Sequence, residues 1–257
     1  NVVQRVLVST NPDWKTVSKW YWDLSLPHYA NTDAIRTKVS ELIAGLETPM
    51  DKIQALFGFV SQEIRYMGIV AESTSPGYEP HDVGDTFSAR HGVCRDKAAL
   101  LVSMLRESGV EAFPTLIHNG PKKDEEVPQP YFNHAIVAAR VDGEYVLMDP
   151  TDEATRELLP SYLDDRSFLV ATPDGDTLRT SPIEPSDVNL MDIQTRGSLD
   201  KDGNLKWSAE SHNLVVDVGL QDMNTKYFTG TAYTAVWYLG LYGAGASNTP
   251  SGSDTMA

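Results

Sequence analysis

Residues 90–113 read RHGVCRDKAALLVSMLRESGVEAF and contain Cys94, the one cysteine of this 257-residue chain. From Arg95 onward, apolar residues recur at helical spacing until Gly109, a residue type that commonly ends helices. Apolar side chains occupy much of the helical circumference, which is typical of a buried helix. The stretch therefore predicts a buried helix with Cys94 at its N-terminus.

Cys94 has two interpretations at this position. The dipole of the helix stabilises a thiolate there, and the backbone N–H groups of the same turn could stabilise an oxyanion. Gly92 has no side chain and would let another chain, such as a substrate, come close. In the second interpretation Cys94 is a small buried apolar residue, which is the commonest fate of a free cysteine. The local sequence leaves both open.

His134 differs in context from the other five histidines because it opens a predicted β-hairpin. Residues 134–151, HAIVAARVDGEYVLMDPT, are two strand-like runs joined by Asp142-Gly143, a favoured two-residue hairpin turn. With that turn, His134 and Asp149 share a face as diagonal neighbours. Asp149 can then orient the imidazole and favour its charged form. A purely structural histidine–carboxylate pair is the alternative. Both faces of the hairpin are apolar, which predicts a central position in a sheet.

The remaining pattern predicts an α-rich first section and a β-rich last one. Helices are expected over 11–24, with Asn11 as the cap, over 32–44 and from 48 to 64, whereas 67–93 and 118–133 have the composition of loops. The predicted domains are a core with N-terminal helices over 1–160, an extended connection over 161–189, and a partial β-rich module with a disordered tail over 190–257. A hairpin around Asp202-Gly203 is expected in that module.

Composition and charge exclude several classes of function. With 36 acidic and 21 basic residues the net charge is −15, which disfavours nucleic acids and anionic membrane surfaces as partners. No run of 18 apolar residues is present, so no membrane insertion is expected. A single cysteine excludes an internal disulfide, and no two histidines have ligand spacing on one predicted helix, so neither a metal nor a cofactor is expected.

Three motifs together resemble the transglutaminase-like superfamily, a papain-like group with Cys, His and Asp in that order along the chain. Gly92, Cys94 and Asp96 fit its Gly-x-Cys-x-Asp helix start, and residues 134 and 149–151 fit its histidine strand and Asp-Pro-Thr ending. The preceding EIRYMGI, residues 63–69, supports the resemblance. The bacterial subgroup in which this core lies between two β-rich domains is the most similar, which implies a further β-rich domain before residue 1.

The resemblance implies an α+β fold in which the cysteine helix packs on an antiparallel sheet. It also implies a thiol-dependent amide hydrolase or acyltransferase that works through an acyl-enzyme on protein or peptide substrates. Cys94 would be the nucleophile, His134 the general base and then acid, and Asp149 the orienting residue. Tyr66, Tyr78 and Gln62 are candidates for a second oxyanion donor.

Two further consequences of the resemblance concern activity and location. A catalytically silent binding or assembly module with an unused triad is the alternative function, because a fold does not guarantee an activity. A periplasmic or secreted bacterial location is implied, although the printed sequence has no signal peptide. The sequence does not indicate the oligomeric state.

Overall fold

The computed structural model describes residues 6–68, 77–153, 157–185, 196–199 and 205–208. It divides into two compact units, Asn1–Pro185 and Ser186–Ala257. In chain order the helices of the first unit are α1 (Trp14–Ser25), α2 (Asp33–Leu42), α3 (Pro49–Glu63), α4 (Val83–Ala89) and α5 (Cys94–Glu107). Its strands are β1 (Arg65–Tyr66), β2 (His91–Gly92), β3 (Ala112–His118), β4 (His134–Val141), β5 (Glu144–Met148), β6 (Ser167–Val170) and β7 (Arg179–Thr180). Short 3₁₀ turns cover Leu26–His28 and Ser161–Leu163.

The three N-terminal helices begin at side-chain caps. Thr48 caps α3 through its hydroxyl, and Pro49 occupies the first helical position, as the sequence predicts. Thr32 caps α2 in the same way. The predicted cap of α1 was wrong: Asp13, not Asn11, accepts the N–H of Thr16 at 2.7 Å. The helix therefore begins at Trp14, two residues later than it would begin with Asn11 as its cap.

The main sheet has five strands in the order β5-β4-β3-β6-β7, with antiparallel pairing throughout. The β4–β5 hairpin turns at Asp142 and Gly143, whose φ angles of 52° and 89° fit the predicted tight turn. Its register places Val141 opposite Glu144, as that turn requires. The prediction of a central hairpin holds only for β4, because β5 is an edge strand.

Both faces of β4 are buried, and they belong to two different apolar clusters. One cluster joins α5 and the other helices to Ala135, Val137, Ala139 and Met148. The other lies on the opposite face and includes Ile136, Ala138, Leu147 and Leu163. The α+β architecture with helices packed on an antiparallel sheet is therefore as expected. A strand that is apolar along its whole length needs apolar groups packed on both of its faces. It does not need a neighbouring strand on both of its edges, so β5 can be apolar and still lie at the edge of the sheet.

The segment expected to be an extended connection, residues 161–189, differs from that prediction. Residues 167–170 form β6, which pairs with β3 along Thr115–His118, and β7 pairs with β6. The first compact unit accordingly runs to Pro185 and not to residue 160. Pro160, Pro173, Pro182 and Pro185 give this part of the sequence the pattern of an extended chain, but the four-residue strand between the first two is fully buried and extends the sheet.

A short helix, α4, lies within the stretch 67–93 that was predicted to be a loop. Val83, Thr86 and Phe87 are its buried residues, and their spacing is helical. One glycine and three polar residues among its seven residues hid this short pattern. Residues 69–76 of the same stretch lie outside the described residues.

The second unit is described only at β8 (Arg196–Leu199) and β9 (Leu205–Ser208). These strands pair antiparallel with Leu199 opposite Leu205, on either side of the predicted Asp202-Gly203 turn. The turn itself and the other residues of the predicted β-rich module and tail lie outside the described residues. Among the helices that the structure describes, none combines the length and the apolar character needed to cross a membrane.

Lys97 is fully buried in α5, where a charged side chain is stable only with hydrogen-bond partners. Its ammonium donates to the carbonyls of Ser61, at 3.2 Å, and of Ile64, both at the C-terminal end of α3. Burial lowers the pKa of Lys97 to about 8, and the negative charges of Glu153, Asp149 and Asp152 oppose this effect. The side chain therefore holds the end of α3 to the beginning of α5.

Gly92 is buried against the chain's own residues, which differs from the predicted role of admitting a substrate. A Cβ at this position would lie 2.7 Å from Asp96 Cβ and 3.3 Å from Thr86 Cγ2. Neither atom is at the free end of a long side chain, so little room can be made. Glycine at 92 is thus required by the close packing of β2 on the first turn of α5.

We expect Gly92→Ala to lower the free energy of unfolding by about 1–3 kcal/mol, the usual cost of overpacking. Gly58→Ala in α3 is the matched control, because a Cβ there meets nothing within 4 Å. Alanine in that helix interior should raise the free energy of unfolding by about 0.5–1 kcal/mol. Urea denaturation of both variants measures the difference, and equal stabilities would contradict the close packing at Gly92.

Candidate functional site

Cys94 is the first residue of α5 and its side chain is partly exposed. The sulfur is hydrogen-bonded to the side chain of His134 and to the backbone N–H groups of Ala135 and Arg95. The first helical turn and the beginning of β4 therefore meet at the thiol. The sequence proposed both residues but contained no local information that would bring them together.

Asp96 fixes the backbone around Cys94. Its carboxylate is 2% exposed, and its Oδ2 accepts the N–H of Val93, the residue that caps α5, at 3.1 Å. The other oxygen accepts the N–H of His81 at 3.0 Å and lies 3.1 Å from His81 Nδ1. Asp96 thus joins the start of the cysteine helix to the loop before α4, and its negative charge lies in the first helical turn, where the helix dipole favours it.

His134 contacts Asp149 as the hairpin register predicts. Its Nε2 lies 2.7 Å from Asp149 Oδ2, and the carboxylate is completely buried. Because Nε2 faces Asp149, Nδ1 is the ring nitrogen left for the thiol of Cys94. One imidazole therefore connects the sulfur to the carboxylate.

Asp149 accepts three more hydrogen bonds, which the sequence analysis did not identify. The N–H and the hydroxyl of Thr151 donate to Oδ1 at 3.0 and 2.7 Å. The Tyr162 hydroxyl donates to Oδ2 at 2.9 Å, the same oxygen that His134 contacts. The Thr151 contacts follow from its position two residues after an aspartate, a frequent local pattern. Tyr162 gave no such signal, because it reaches the site through the pairing of β6.

The charges of the three groups reinforce one another. For the Cys94 thiol, burial raises the pKa, but the hydrogen bond and charge of His134 outweigh it, so the pKa is lowered. For His134, burial lowers the pKa, but Asp149 and Cys94 outweigh it, so the pKa is raised. For Asp149, burial is likewise opposed by His134 and then by Thr151, and the pKa is lowered. These directions favour a thiolate, an imidazolium and a carboxylate at neutral pH.

The three candidates for a second oxyanion donor have different surroundings. Tyr78 is not available, because its hydroxyl donates to the carbonyl of Phe132 at 2.8 Å and accepts the N–H of the same residue at 2.9 Å. Gln62 is exposed on α3. Burial raises the pKa of Tyr66, and the negative charges of Cys94 and Asp149 raise it further. Its backbone pairs with Gly92, two residues before Cys94.

Comparisons with solved structures give distant likenesses. A proposed protease from Parabacteroides distasonis is 15% identical over 67% of this chain and 32% of its own length, with a TM-score of 0.48. A proposed cysteine protease from Cytophaga hutchinsonii is 21% identical over 49% of this chain and 41% of its own, with a TM-score of 0.36. The periplasmic domain of TgpA from Pseudomonas aeruginosa is 21% identical over 52% of this chain and 46% of its own, also with a TM-score of 0.36. The chain thus spans less than half the length of each.

A comparison with curated proteins finds no match. A comparison with family models matches residues 36–150 to the transglutaminase-like superfamily. The matched range begins in α2, ends immediately after Asp149, and so includes α5 and the whole β4–β5 hairpin. Residues 36–150 of this chain are therefore a transglutaminase-like superfamily domain, as the sequence motifs predicted.

Proposed function

We propose that the chain is a thiol-dependent amide hydrolase or acyltransferase in which Cys94, His134 and Asp149 are the catalytic residues. The observation that carries the proposal is that His134 contacts both the completely buried Asp149 carboxylate and a partly exposed Cys94 thiol whose pKa is lowered. The family match supports the general chemistry, since the motif residues that suggested it lie within the matched range or directly beside it. Protein or peptide amides are the proposed substrates, and a location outside the cytoplasm is part of the same proposal.

In the first half of the proposed reaction the Cys94 thiolate attacks the amide carbonyl carbon. A carbon–sulfur bond forms, and the carbonyl oxygen takes the negative charge. When the carbon–nitrogen bond breaks, the amine leaves with the proton that His134 held, and a thioester remains on the enzyme. His134 is then neutral and can accept a proton in the second half.

In the second half the neutral imidazole takes a proton from water or from an acceptor amine. Attack of that nucleophile on the thioester carbon breaks the carbon–sulfur bond and returns the sulfur as a thiolate. Water gives a carboxylic acid and an amine gives a new amide, so the acceptor decides between hydrolysis and transfer. Asp149 keeps the imidazole ring oriented through both halves and keeps its charged form stable.

The negative charge on the carbonyl oxygen requires hydrogen-bond donors. The backbone N–H of Cys94 at the N-terminus of α5 is the proposed backbone donor, because a helix N-terminus favours negative charge. The N–H groups that follow it are already bonded, that of Arg95 to the sulfur and those of Asp96 and Lys97 to the Val93 carbonyl. Tyr66 is the proposed side-chain donor, since it pairs with Gly92, two residues before Cys94, and its phenol stays protonated at neutral pH because its pKa is raised. Its backbone is held by Glu153, whose Oε1 accepts the Tyr66 N–H at 2.6 Å.

We expect an electrophilic acyl probe to label the wild-type protein stoichiometrically and to form a thioester at Cys94. Cys94→Ser and His134→Ala should not be labelled at a comparable rate, because one lacks the thiolate and the other lacks the group that maintains it. His91→Ala is the control, since His91 is exposed and close in sequence but is not one of the three groups. Intact-protein mass spectrometry measures the label. Labelling of Cys94→Ser at the wild-type rate would refute the proposal.

The pH dependence of Cys94 alkylation by iodoacetamide tests the proposed ion pair. A lowered thiol pKa means that the thiolate persists below the usual thiol pKa of about 8.5 and is lost only as the pH falls through the lowered value. A raised His134 pKa means that the imidazolium persists above neutrality and is lost as the pH rises through the raised value. Turnover should therefore fall on both sides of a window that includes neutral pH.

In His134→Gln the alkylation midpoint should move upward by at least about one pH unit, because burial alone raises a thiol pKa. His91→Gln should leave the midpoint unchanged. An ordinary thiol pKa in the wild-type protein, together with no acylation, would instead favour the alternative of a binding or assembly module.

A further inference from the structure

Tyr162 and His134 share one oxygen of the buried Asp149 carboxylate. The Tyr162 hydroxyl donates to Oδ2 at 2.9 Å, and His134 Nε2 lies 2.7 Å from the same atom. Thr151 occupies the other oxygen with two hydrogen bonds. A stronger or weaker hydrogen bond from Tyr162 therefore changes the charge on Oδ2, the same oxygen that orients His134.

The backbone around Tyr162 holds its hydroxyl in this place. Leu163, the next residue, is fully buried in the apolar cluster on the far face of the sheet. The Tyr162 carbonyl accepts a hydrogen bond from Arg166 Nε at 3.3 Å, and the Leu163 N–H donates to Pro160 at 2.9 Å. The preceding residues also contact the site, since the Asp149 N–H donates to the Leu158 carbonyl at 2.6 Å. The 3₁₀ turn is thus fixed to the sheet on one side and to Asp149 on the other.

We propose, on the basis of the function proposed above, that Tyr162 is a positioning residue that divides the Asp149 carboxylate between itself and His134 and so limits how tightly the imidazolium is held. A hydrogen bond to a carboxylate disperses part of its charge. With that charge partly dispersed, the carboxylate attracts the imidazolium less strongly. The tyrosine hydroxyl therefore weakens the stabilisation of the charged ring without removing its orientation.

This weakening favours the proposed reaction. The imidazolium must give its proton to the departing amine, and an imidazolium that is too stable is a poor general acid. Four donors on Asp149 keep its buried charge satisfied, so the carboxylate stays ionised although it is inaccessible to water. Tyr162 thus adjusts the acidity of His134 from the side of the ring that faces away from the substrate thioester.

Other charged and titratable groups also act on the His134–Asp149 pair, and their effect on the pKa of His134 must stay constant in a test. Cys94 and Lys97 face it from α5, Tyr66 from β1, and Asp152 from the loop after β5. Tyr162 itself remains protonated throughout the accessible range, because burial and the charge of Asp149 raise its pKa far above the usual value for tyrosine. Removal of the hydroxyl leaves these side chains in place, and it also removes the contact of the hydroxyl with Thr151.

Tyr162→Phe is the decisive variant because it removes only the hydroxyl and keeps the ring. We expect the titration midpoint of His134 to rise by roughly half a pH unit, a fraction of the effect that one hydrogen bond has on a carboxylate. Nuclear magnetic resonance of protein labelled with ¹³C in its histidine rings measures the midpoint, and the His134→Gln spectrum assigns the signal. The general-acid step should slow, so kcat should fall while KM changes little.

Tyr145→Phe is the matched control. The Tyr145 hydroxyl also contacts a charged side chain, accepting from Arg140 Nη2 at 2.9 Å, but it is on β5 and away from Asp149. Its removal should leave the His134 midpoint unchanged. A third protein with 3-fluorotyrosine at position 162 keeps the side chain and donates more strongly, so its midpoint should move downward.

The outcomes separate this inference from the proposed function. If His134 titrates equally in the wild-type, Tyr162→Phe and 3-fluorotyrosine proteins, Tyr162 does not act on the histidine and the inference is overturned, whatever the activity. If the opposite shifts occur but Cys94 has an ordinary pKa and is not acylated, the inference stands for the His134–Asp149 pair and the proposed function fails. Thermal unfolding of each protein checks that the fold is retained.

Discussion

The burial of α5 on nearly all sides determines where the reactive groups can be. Leu100, Leu101, Val102, Met104 and Leu105 are inaccessible to solvent, and each such side chain contributes roughly 1.5–3 kcal/mol on burial. A helix enclosed by α3 and α4 on one side and by β3 and β4 on the other cannot shift along its axis without disrupting this core. The position of Cys94 at its first residue is therefore set by packing and not by interactions of the thiol.

The Asp149 carboxylate has the opposite character, since a buried charge is stable only where donors surround it. Its donors come from β4, from its own loop and from the 3₁₀ turn before β6. The apolar core thus fixes the sulfur, and a polar network fixes the imidazole and carboxylate. The two systems meet at the hydrogen bond between Cys94 and His134.

Sequence predicted the parts of this arrangement that depend on short separations along the chain. The turn Asp142-Gly143 determined the register of the β4–β5 hairpin, and that register placed His134 beside Asp149. The helix start at Cys94 was predicted to within one residue for the same reason. Tyr162 could not be predicted, because its contact depends on β6 pairing with β3 across some fifty residues. A seven-residue helix such as α4 is also difficult to recognise, since it contains fewer than two full periods.

The buried ammonium of Lys97 has a practical consequence for studying the molecule. While α3 and α5 remain together, this amine is enclosed and bonded to two carbonyls, so reagents that acylate lysines in water cannot reach it. Modification of Lys97 would record the separation of the two helices. It lies one turn along from Cys94, so a single peptide from a digest that does not cleave at Arg95 or Asp96 would show both whether the thiol had reacted and whether the helix had opened.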